Sequence, residues 1–306
     1  MMKIITIASD VDDFYLKNFL IPSCNYFNLN LTILHFNKKW TGHRNKDILL
    51  LKYLEKTDGE QVILFTDAYD TMMLCDEEQL MESYERKGTP IVFSSEVNCW
   101  PFPGLKFLYH KKYPMIGNSF LNSGGFIGKA ARIKELLKKY SKPPSYNFRE
   151  LKEIRTMDGL HLDEMYGWSN QYYWTLVFLS EPDLISIDYE NYIFITLGTP
   201  LNALTKNAED YAKLGKRAKV YSEEVERLEN TFANTNWGNL AHLHFNGPIV
   251  KPIFKEMYGN RKLPPGIRTI LSYSSDISSN IEIVPFEKRT NWFQIWRGKN
   301  LKVFSS

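Results

Sequence analysis

The spacing of apolar and polar residues changes partway along this chain, and the change separates a regular half from an irregular one. In the first half, short apolar runs at residues 3–8, 29–36, 61–66 and 90–94 read as strands. They are apolar at nearly every position, which fits strands buried on both faces of a parallel sheet. Between them, residues 12–27, 47–56 and 76–87 carry the helical period. The first of these is disturbed at Pro22, and the last opens on acidic residues that suit a helix N-terminus. This alternation predicts an α/β protein, a Rossmann-like, mostly parallel sheet flanked by helices.

The second half is less regular. A short strand is expected at 126–128, a basic amphipathic helix at 130–140, and a loop with two prolines at 141–155. An aromatic-rich helix at 170–179 precedes strands at 184–187 and 192–196. Residues 203–230 are charged and weakly patterned, and 240–245 returns to the core. Beyond residue 260 the pattern says little. With no repeat and no linker, residues 1–306 read as a single domain.

Composition narrows the functional classes. The net charge is +3 over 306 residues, too small to argue for nucleic acid. Basic residues gather between Lys129 and Arg155, but Glu135, Glu150 and Glu153 interrupt them, as on a solvated helix face. Cys24, Cys75 and Cys99 are scattered and odd in number, so neither a disulfide framework nor a Cys-x-x-Cys metal site is expected. The first residues lack the apolar core and cleavage site of a secretory signal, and no apolar stretch is long enough for a bilayer. The expectation is a soluble protein, with no membrane partner, in the cytoplasm of a host or microbial cell.

The chemistry concentrates where strands end. Val62 to Thr66 runs directly into Asp67-Ala-Tyr-Asp70. Ligands of such sheets bind beyond the carboxyl ends of the strands, and two neighbouring carboxylates repel unless a cation or proton relieves them. Taken alone, the pair also reads as a capped strand-to-turn corner. His242 and His244, in Ala241-His-Leu-His-Phe-Asn-Gly-Pro248, end another core strand and face the same side, so spacing does not choose between them. An oxygen-plus-imidazole set suits manganese best among the common cations. Phe120-Leu-Asn-Ser-Gly-Gly-Phe-Ile-Gly128 offers paired glycines for a close backbone approach or a tight turn, with Asn122 and Ser123 able to bond hydroxyls. Glu96 lies just past the strand at 90–94, and Trp100 could wall a sugar ring.

In order and together, these segments resemble the glycosyltransferase domain of the procollagen lysyl hydroxylases and their collagen-glycosyltransferase relatives. The shared pieces are Leu64-Phe-Thr-Asp-Ala-Tyr-Asp70, Val92-Phe-Ser-Ser-Glu96, Cys99-Trp-Pro101, Tyr113-Pro114, Phe120 to Gly128, and His244-Phe-Asn-Gly-Pro248. Weaker matches are Ile5-Thr-Ile-Ala8, Trp40-Thr-Gly42 and Gln171-Tyr-Tyr-Trp-Thr175. The resemblance implies a GT-A type fold and manganese-dependent transfer of a sugar from a UDP donor, UDP-glucose or UDP-galactose, to a collagen-like protein. It makes Asp67, Asp70 and His244 the metal ligands. Trp40, Lys46, Tyr69, Asn246 and Gly247 fall near the donor nucleotide or behind the metal histidine. Glu96, Trp100 and Asn122 line the sugar or acceptor side.

One departure matters. The relatives carry a run of aspartates just before the glutamine that aligns with Gln171, where this chain reads Gly167-Trp-Ser-Asn170. Asn170 can keep hydrogen bonds at that position but cannot act as a general base. That disfavours inversion through this residue and leaves retention open, because a leaving diphosphate oxygen can take the acceptor proton itself. In this family, glucosylation of galactosyl-hydroxylysine retains the donor's α configuration, and galactosylation of hydroxylysine inverts it. The expectation is therefore a stand-alone glucosyltransferase, from a virus or microbe that makes its own collagen-like protein. The alternatives are the galactosyltransferase, a surface-glycan transferase, a metal phosphohydrolase and a degenerate binding protein.

Overall fold

The computed structural model describes residues 2–38, 40–106, 108–109, 120–141, 162–200 and 213–286. The apolar runs of the first half form β1 (Lys3–Ala8), β2 (Leu31–His35), β3 (Val62–Asp67) and, after the short β4 (Thr71–Met73), β5 (Ile91–Glu96). With β6 (Phe120–Lys129), β7 (Ile185–Ile187) and β10 (Ile281–Pro285) they build a sheet in the order β10-β2-β1-β3-β6-β5-β7. All neighbours in it are parallel except β6, which runs antiparallel to both β3 and β5. The mostly parallel α/β sheet expected from the pattern is the one observed. A small second sheet joins β4, β9 (His242–His244) and β8 (Phe194–Thr196) in the order β4-β9-β8.

Helices cover both faces. On one side, α2 (Asn45–Leu54), α4 (Ala130–Lys139), α5 (Leu162–Trp168) and α6 (Asn170–Ser180) enclose a core centred on Phe65, Phe93, Phe126 and Trp174. Phe126 stacks on Phe65 at 5.0 Å and on Phe93 at 4.7 Å between ring centroids, and Trp174 lies 5.1 Å from Phe93. Each such side chain stabilises by about 2–3 kcal/mol on burial, so β3, β6 and β5 are locked side by side where their ends carry the candidate chemistry. On the other side lie α1 (Ile21–Tyr26) and α3 (Glu77–Lys87). The Asp76 carboxylate caps α3, accepting from the Gln79 amide at 3.0 Å, and Gly88 closes it at φ +63°. A third apolar cluster packs α7 (Lys219–Asn234), α8 (Val250–Gly259) and α9 (Pro265–Leu271) against the small sheet.

The structure refines several expectations. The helix expected at 12–27 is present over residues 14–26, and its disturbance is a π-helical stretch, Leu16–Leu20, that lies just before Pro22 and runs directly into α1. The strand expected at 126–128 extends over ten residues. Of the stretch 203–230, residues 203–212 lie outside the described residues and 219–230 belong to α7, and the region beyond 260 supplies α9 and β10. Most of the loop expected at 141–155, like Tyr113-Pro114, lies outside the described residues. Among the described residues, no helix is long and apolar enough to cross a membrane.

Candidate metal centre and sugar-nucleotide site

The glycine pair of β6 shapes the site. Opposite β5 the register passes from Phe93↔Phe126 to Ser94↔Asn122, so residues 123–125 of β6 have no partner in β5. Such a bulge bends a strand and re-aims its side chains. Neither Gly124 nor Gly125 has a positive φ; what they provide is room. A Cβ on Gly124 would meet His244 Cε1 at 2.3 Å, and one on Gly125 would meet His242 Cε1 at 3.1 Å. The second sheet can lie this close to β6 only over a bare backbone.

His242 and His244 share one face of β9, as strand alternation requires, and the structure separates their roles. His242 is fully buried, with Nε2 2.8 Å from Thr66 Oγ1, and burial pushes its pKa down to about 3. It is a neutral core histidine. His244 stands one ladder step further on, paired with Thr71 directly after Asp70. Asp67, at the end of β3, and Asp70 in the following turn complete a group with His244 whose ligand atoms all lie within 4.8 Å of one another.

Hydrogen bonding orients the imidazole. Asn122 Oδ1 accepts the Gly124 amide at 2.8 Å and lies 3.2 Å from His244 Nδ1. A carbonyl oxygen only accepts, so Nδ1 carries the proton and the Nε2 lone pair is left free. That buried Nε2 has no hydrogen-bond partner and lies 3.5 Å from Asp70 Oδ1. A lone pair facing a carboxylate calls for a cation between them, and an imidazole tethered through its other nitrogen is the usual arrangement of a metal-binding histidine. The residues present fit a divalent ion.

The carboxylates and the imidazole each favour the other's charged form. Burial would raise the Asp70 pKa, but His244, Lys251 and Lys46 outweigh it and hold the carboxyl down at about 2. Burial would lower that of His244, but Asp70, Asp67 and Glu96 raise it. The Lys46 ammonium, from the first turn of α2, pairs directly with Asp67. Arg44 and Asp47 hold that turn in place through a buried ion pair of 2.6 Å. Trp174 Nε1 donates to Asp47 at 2.8 Å, and the Arg44 guanidinium lies 3.4 Å from the Tyr173 ring centroid.

The remaining candidates divide. Glu96 ends β5 rather than following it, and it is 3% exposed. Burial raises its pKa to about 7 against hydrogen bonds from Gln171, Asn122 and Asn246 and the charge of His244. Asn122 therefore bridges Glu96 to His244. Tyr69 turns its hydroxyl to residues 9 and 10, receiving the Asp10 amide at 2.7 Å. Gly247 turns at φ +97° just before α8. Trp40 packs on Phe36, and Trp100 is 47% exposed; none of the contacts around the triad described above involves either one. Asn170 starts α6 beside Gln171, buried, with Nδ2 lacking a partner.

Sequence reading passed over Lys251. Its ammonium lies 4.4 Å from the Tyr15 ring centroid and 5.7 Å from that of Tyr69, and its charge reaches Asp70. The signal was present: α8 opens directly after the His244–Pro248 turn with a lysine and no acid in its first turn, the reverse of what a helix dipole favours.

A family model described as "PLOD GT domain" matches residues 1–145. Human "Multifunctional procollagen lysine hydroxylase and glycosyltransferase LH3" is 32% identical over 151 residues, covering 45% of this chain and 20% of the human protein. The Drosophila melanogaster "Procollagen-lysine,2-oxoglutarate 5-dioxygenase" is 31% identical over 148 residues, 44% of this chain and 20% of the fly protein. The match thus spans about a fifth of the length of these curated relatives. Among solved structures, mouse xyloside xylosyltransferase 1 aligns over 70% of this chain and 92% of its own, with a TM-score of 0.43 and 11% identity. A glycosyltransferase involved in glycosylation of the PBCV-1 major capsid aligns over 83% and 98%, with a TM-score of 0.42 and 10% identity.

Proposed function

From the site's geometry and the match of residues 1–145 to the "PLOD GT domain" model, we propose that the protein is a glycosyltransferase that transfers glucose from UDP-glucose to galactosyl-hydroxylysine of a collagen-like protein. The observation that carries this reading is the convergence of Asp67, Asp70 and His244 from distant parts of the chain. Those three residues would hold a manganese ion. When bound, the ion supplies positive charge that stabilises the leaving diphosphate.

The chain's own residues supply the rest. Lys46 and Lys251 add cationic charge on the Asp67 and Asp70 side, where a diphosphate needs it. The Gly124–Gly125 bulge lets a ligand and the second sheet approach the same backbone. Asn170 supplies no base, so the reading is a retaining transfer in which the acceptor hydroxyl gives its proton to the departing phosphate oxygen. The new glycosidic bond forms on the face from which the diphosphate leaves.

The test is product analysis with UDP-glucose and UDP-galactose, each offered peptides bearing hydroxylysine or galactosyl-hydroxylysine, with and without manganese. A glucosyl-galactosyl product formed only with the metal supports the proposal. Efficient galactose transfer to bare hydroxylysine would refute the glucosyl assignment. Acceptor-independent UDP release with no glycosylated product would favour a phosphohydrolase instead.

A further inference from the structure

Beside the triad lie buried polar atoms that neither the carboxylates nor the lysines engage. β8 and β9 run parallel with Thr196 in register with His244, and residues in register across a sheet send their side chains to the same face. Because β9 lies between β4 and β8, Thr196 stands on the flank of His244 away from Thr71 and Asp70. It is 8% exposed, and its Oγ1 has no hydrogen-bond partner. Asn246 Oδ1 is a second buried atom without a partner. It lies against the residue two positions beyond Thr196, since a Cβ on Gly198 would meet it at 2.9 Å. The Asn246 amide in turn bonds Glu96.

The site therefore has two unlike halves about His244. Asp67, Asp70, Lys46 and Lys251 make a charged half. Thr196, Asn246, Asn122, Gln171 and Glu96 make a half of hydroxyl and amide groups with a single carboxyl. Unmet buried polar groups oppose folding, and a pair of them beside one site is accounted for by a ligand that satisfies both. A phosphate does not suit that half, because Glu96 would repel it. A polyhydroxyl ligand does, since sugar hydroxyls donate to Asn246 Oδ1 and exchange hydrogen bonds with Thr196 Oγ1.

Resting on the sugar-nucleotide reading above, we infer that Thr196 Oγ1 and Asn246 Oδ1 form the subsite for the hexose of the donor, with Thr196 a specificity-determining residue. The donor's hexose, not the acceptor's, is assigned here because it is bonded to the diphosphate, and His244 is shared by both halves.

Thr196→Val removes the hydroxyl while keeping the side chain's shape. The test titrates UDP, UDP-glucose and UDP-galactose calorimetrically into manganese-loaded wild-type, Thr196→Val and Thr196→Ser proteins, and follows thermal unfolding without ligand. Affinity for UDP is expected to stay unchanged, while affinity for at least one UDP-hexose falls about tenfold in the valine variant. Serine restores it. The ligand-free valine variant unfolds at the same or a higher temperature, because an unmet polar group has been deleted. Equal UDP-hexose affinities in wild type and Thr196→Val overturn the subsite. So does a change confined to the acceptor KM, or a lower unfolding temperature with UDP and UDP-hexoses weakened alike. Wild-type protein that binds no UDP at all refutes the sugar-nucleotide reading itself, and the subsite with it.

Discussion

Adding one methyl group to Gly124 tests the metal centre without touching a ligand. In Gly124→Ala the new Cβ would sit 2.3 Å from His244 Cε1, 2.9 Å from Nδ1 and 3.0 Å from Asn122 Oδ1, where ordinary contact begins at 3.4 Å. The imidazole must retreat by about an ångström, and a displacement of that size in a catalytic constellation costs on the order of a hundredfold. It cannot be absorbed locally, because His244 is 3% exposed and tied through Nδ1 to Asn122, which also receives the Gly124 amide. We predict that manganese affinity, read by calorimetry, falls about a hundredfold, or about 2.7 kcal/mol, and that metal-supported turnover falls with it. Circular dichroism should still report a folded protein. Gly125→Ala is the control. Its Cβ meets His242 Cε1 and Phe194 at 3.1 Å, a milder clash away from the triad, so metal binding should persist. If folded Gly124→Ala binds manganese within about twofold of wild type, His244 is not confined as argued. A double variant, Gly124→Ala with His244→Ala, should lose little more than either alone, since both act on one ligand.

Two further predictions concern stability. Asp47→Ala would strand the Arg44 guanidinium, whose pair has side-chain exposures of 7% and 4%. Removing one partner of such a pair costs about 3–5 kcal/mol, so urea unfolding should show a loss of that order, and a loss below about 1 kcal/mol would contradict the reading. His242 governs acid sensitivity. Its pKa in the folded protein is pushed by burial to about 3 from an ordinary 6.5, so below pH 6.5 the unfolded chain binds a proton that the folded chain refuses. Stability then falls by about 1.4 kcal/mol per pH unit, about 2 kcal/mol by pH 5. His244, with a raised pKa, acts in the opposite sense, adding stability at low pH that is lost as pH rises. The effect of His242 is therefore read as the difference between wild type and His242→Gln in chelator. Equal pH slopes for the two proteins would exclude it.

What could be read from sequence was whatever depends on neighbours along the chain. The strand ending in Asp67 carries its own signal, a run buried on both faces followed at once by carboxylates. The Asp76-capped helix likewise announces both of its ends. The glycine pair was legible as a close approach but not as part of a strand, because glycine depresses the strand signal and the bulge that holds the pair is set by distant Phe93 and Ser94. Choosing between His242 and His244 was beyond any periodicity, since both face one side. What decides it is the partner on β4, Met73 for one and Thr71 beside Asp70 for the other. In α7 the buried positions Val220, Glu224, Leu228 and Phe232 recur every four residues, yet the charged residues before them dilute the pattern in any window starting near 203. β10 was illegible for a different reason. It has three exposed positions in five and pairs with β2, some 250 residues earlier, so only the assembled sheet calls for it.

The departure at Asn170 is consistent with how the carboxylates at the site are occupied. Asp67 faces Lys46, and Asp70 faces His244. Glu96 accepts hydrogen bonds from Gln171, Asn122 and Asn246, and through Asn122 it helps fix the imidazole. Burial raises its pKa, and its hydrogen bonds are taken up by those amides. An inverting transfer needs a carboxylate aimed at the acceptor hydroxyl, on the face opposite the leaving group. Among the described residues around the triad, Asp67 meets a lysine, Asp70 a histidine and Glu96 a set of amides. In a front-face transfer the diphosphate itself takes the proton, and what the protein must supply is charge for the leaving group and hydrogen bonds for the sugar. Those are the two kinds of group found on either side of His244, and this division is what supports the retaining, glucosyl assignment over the inverting, galactosyl one.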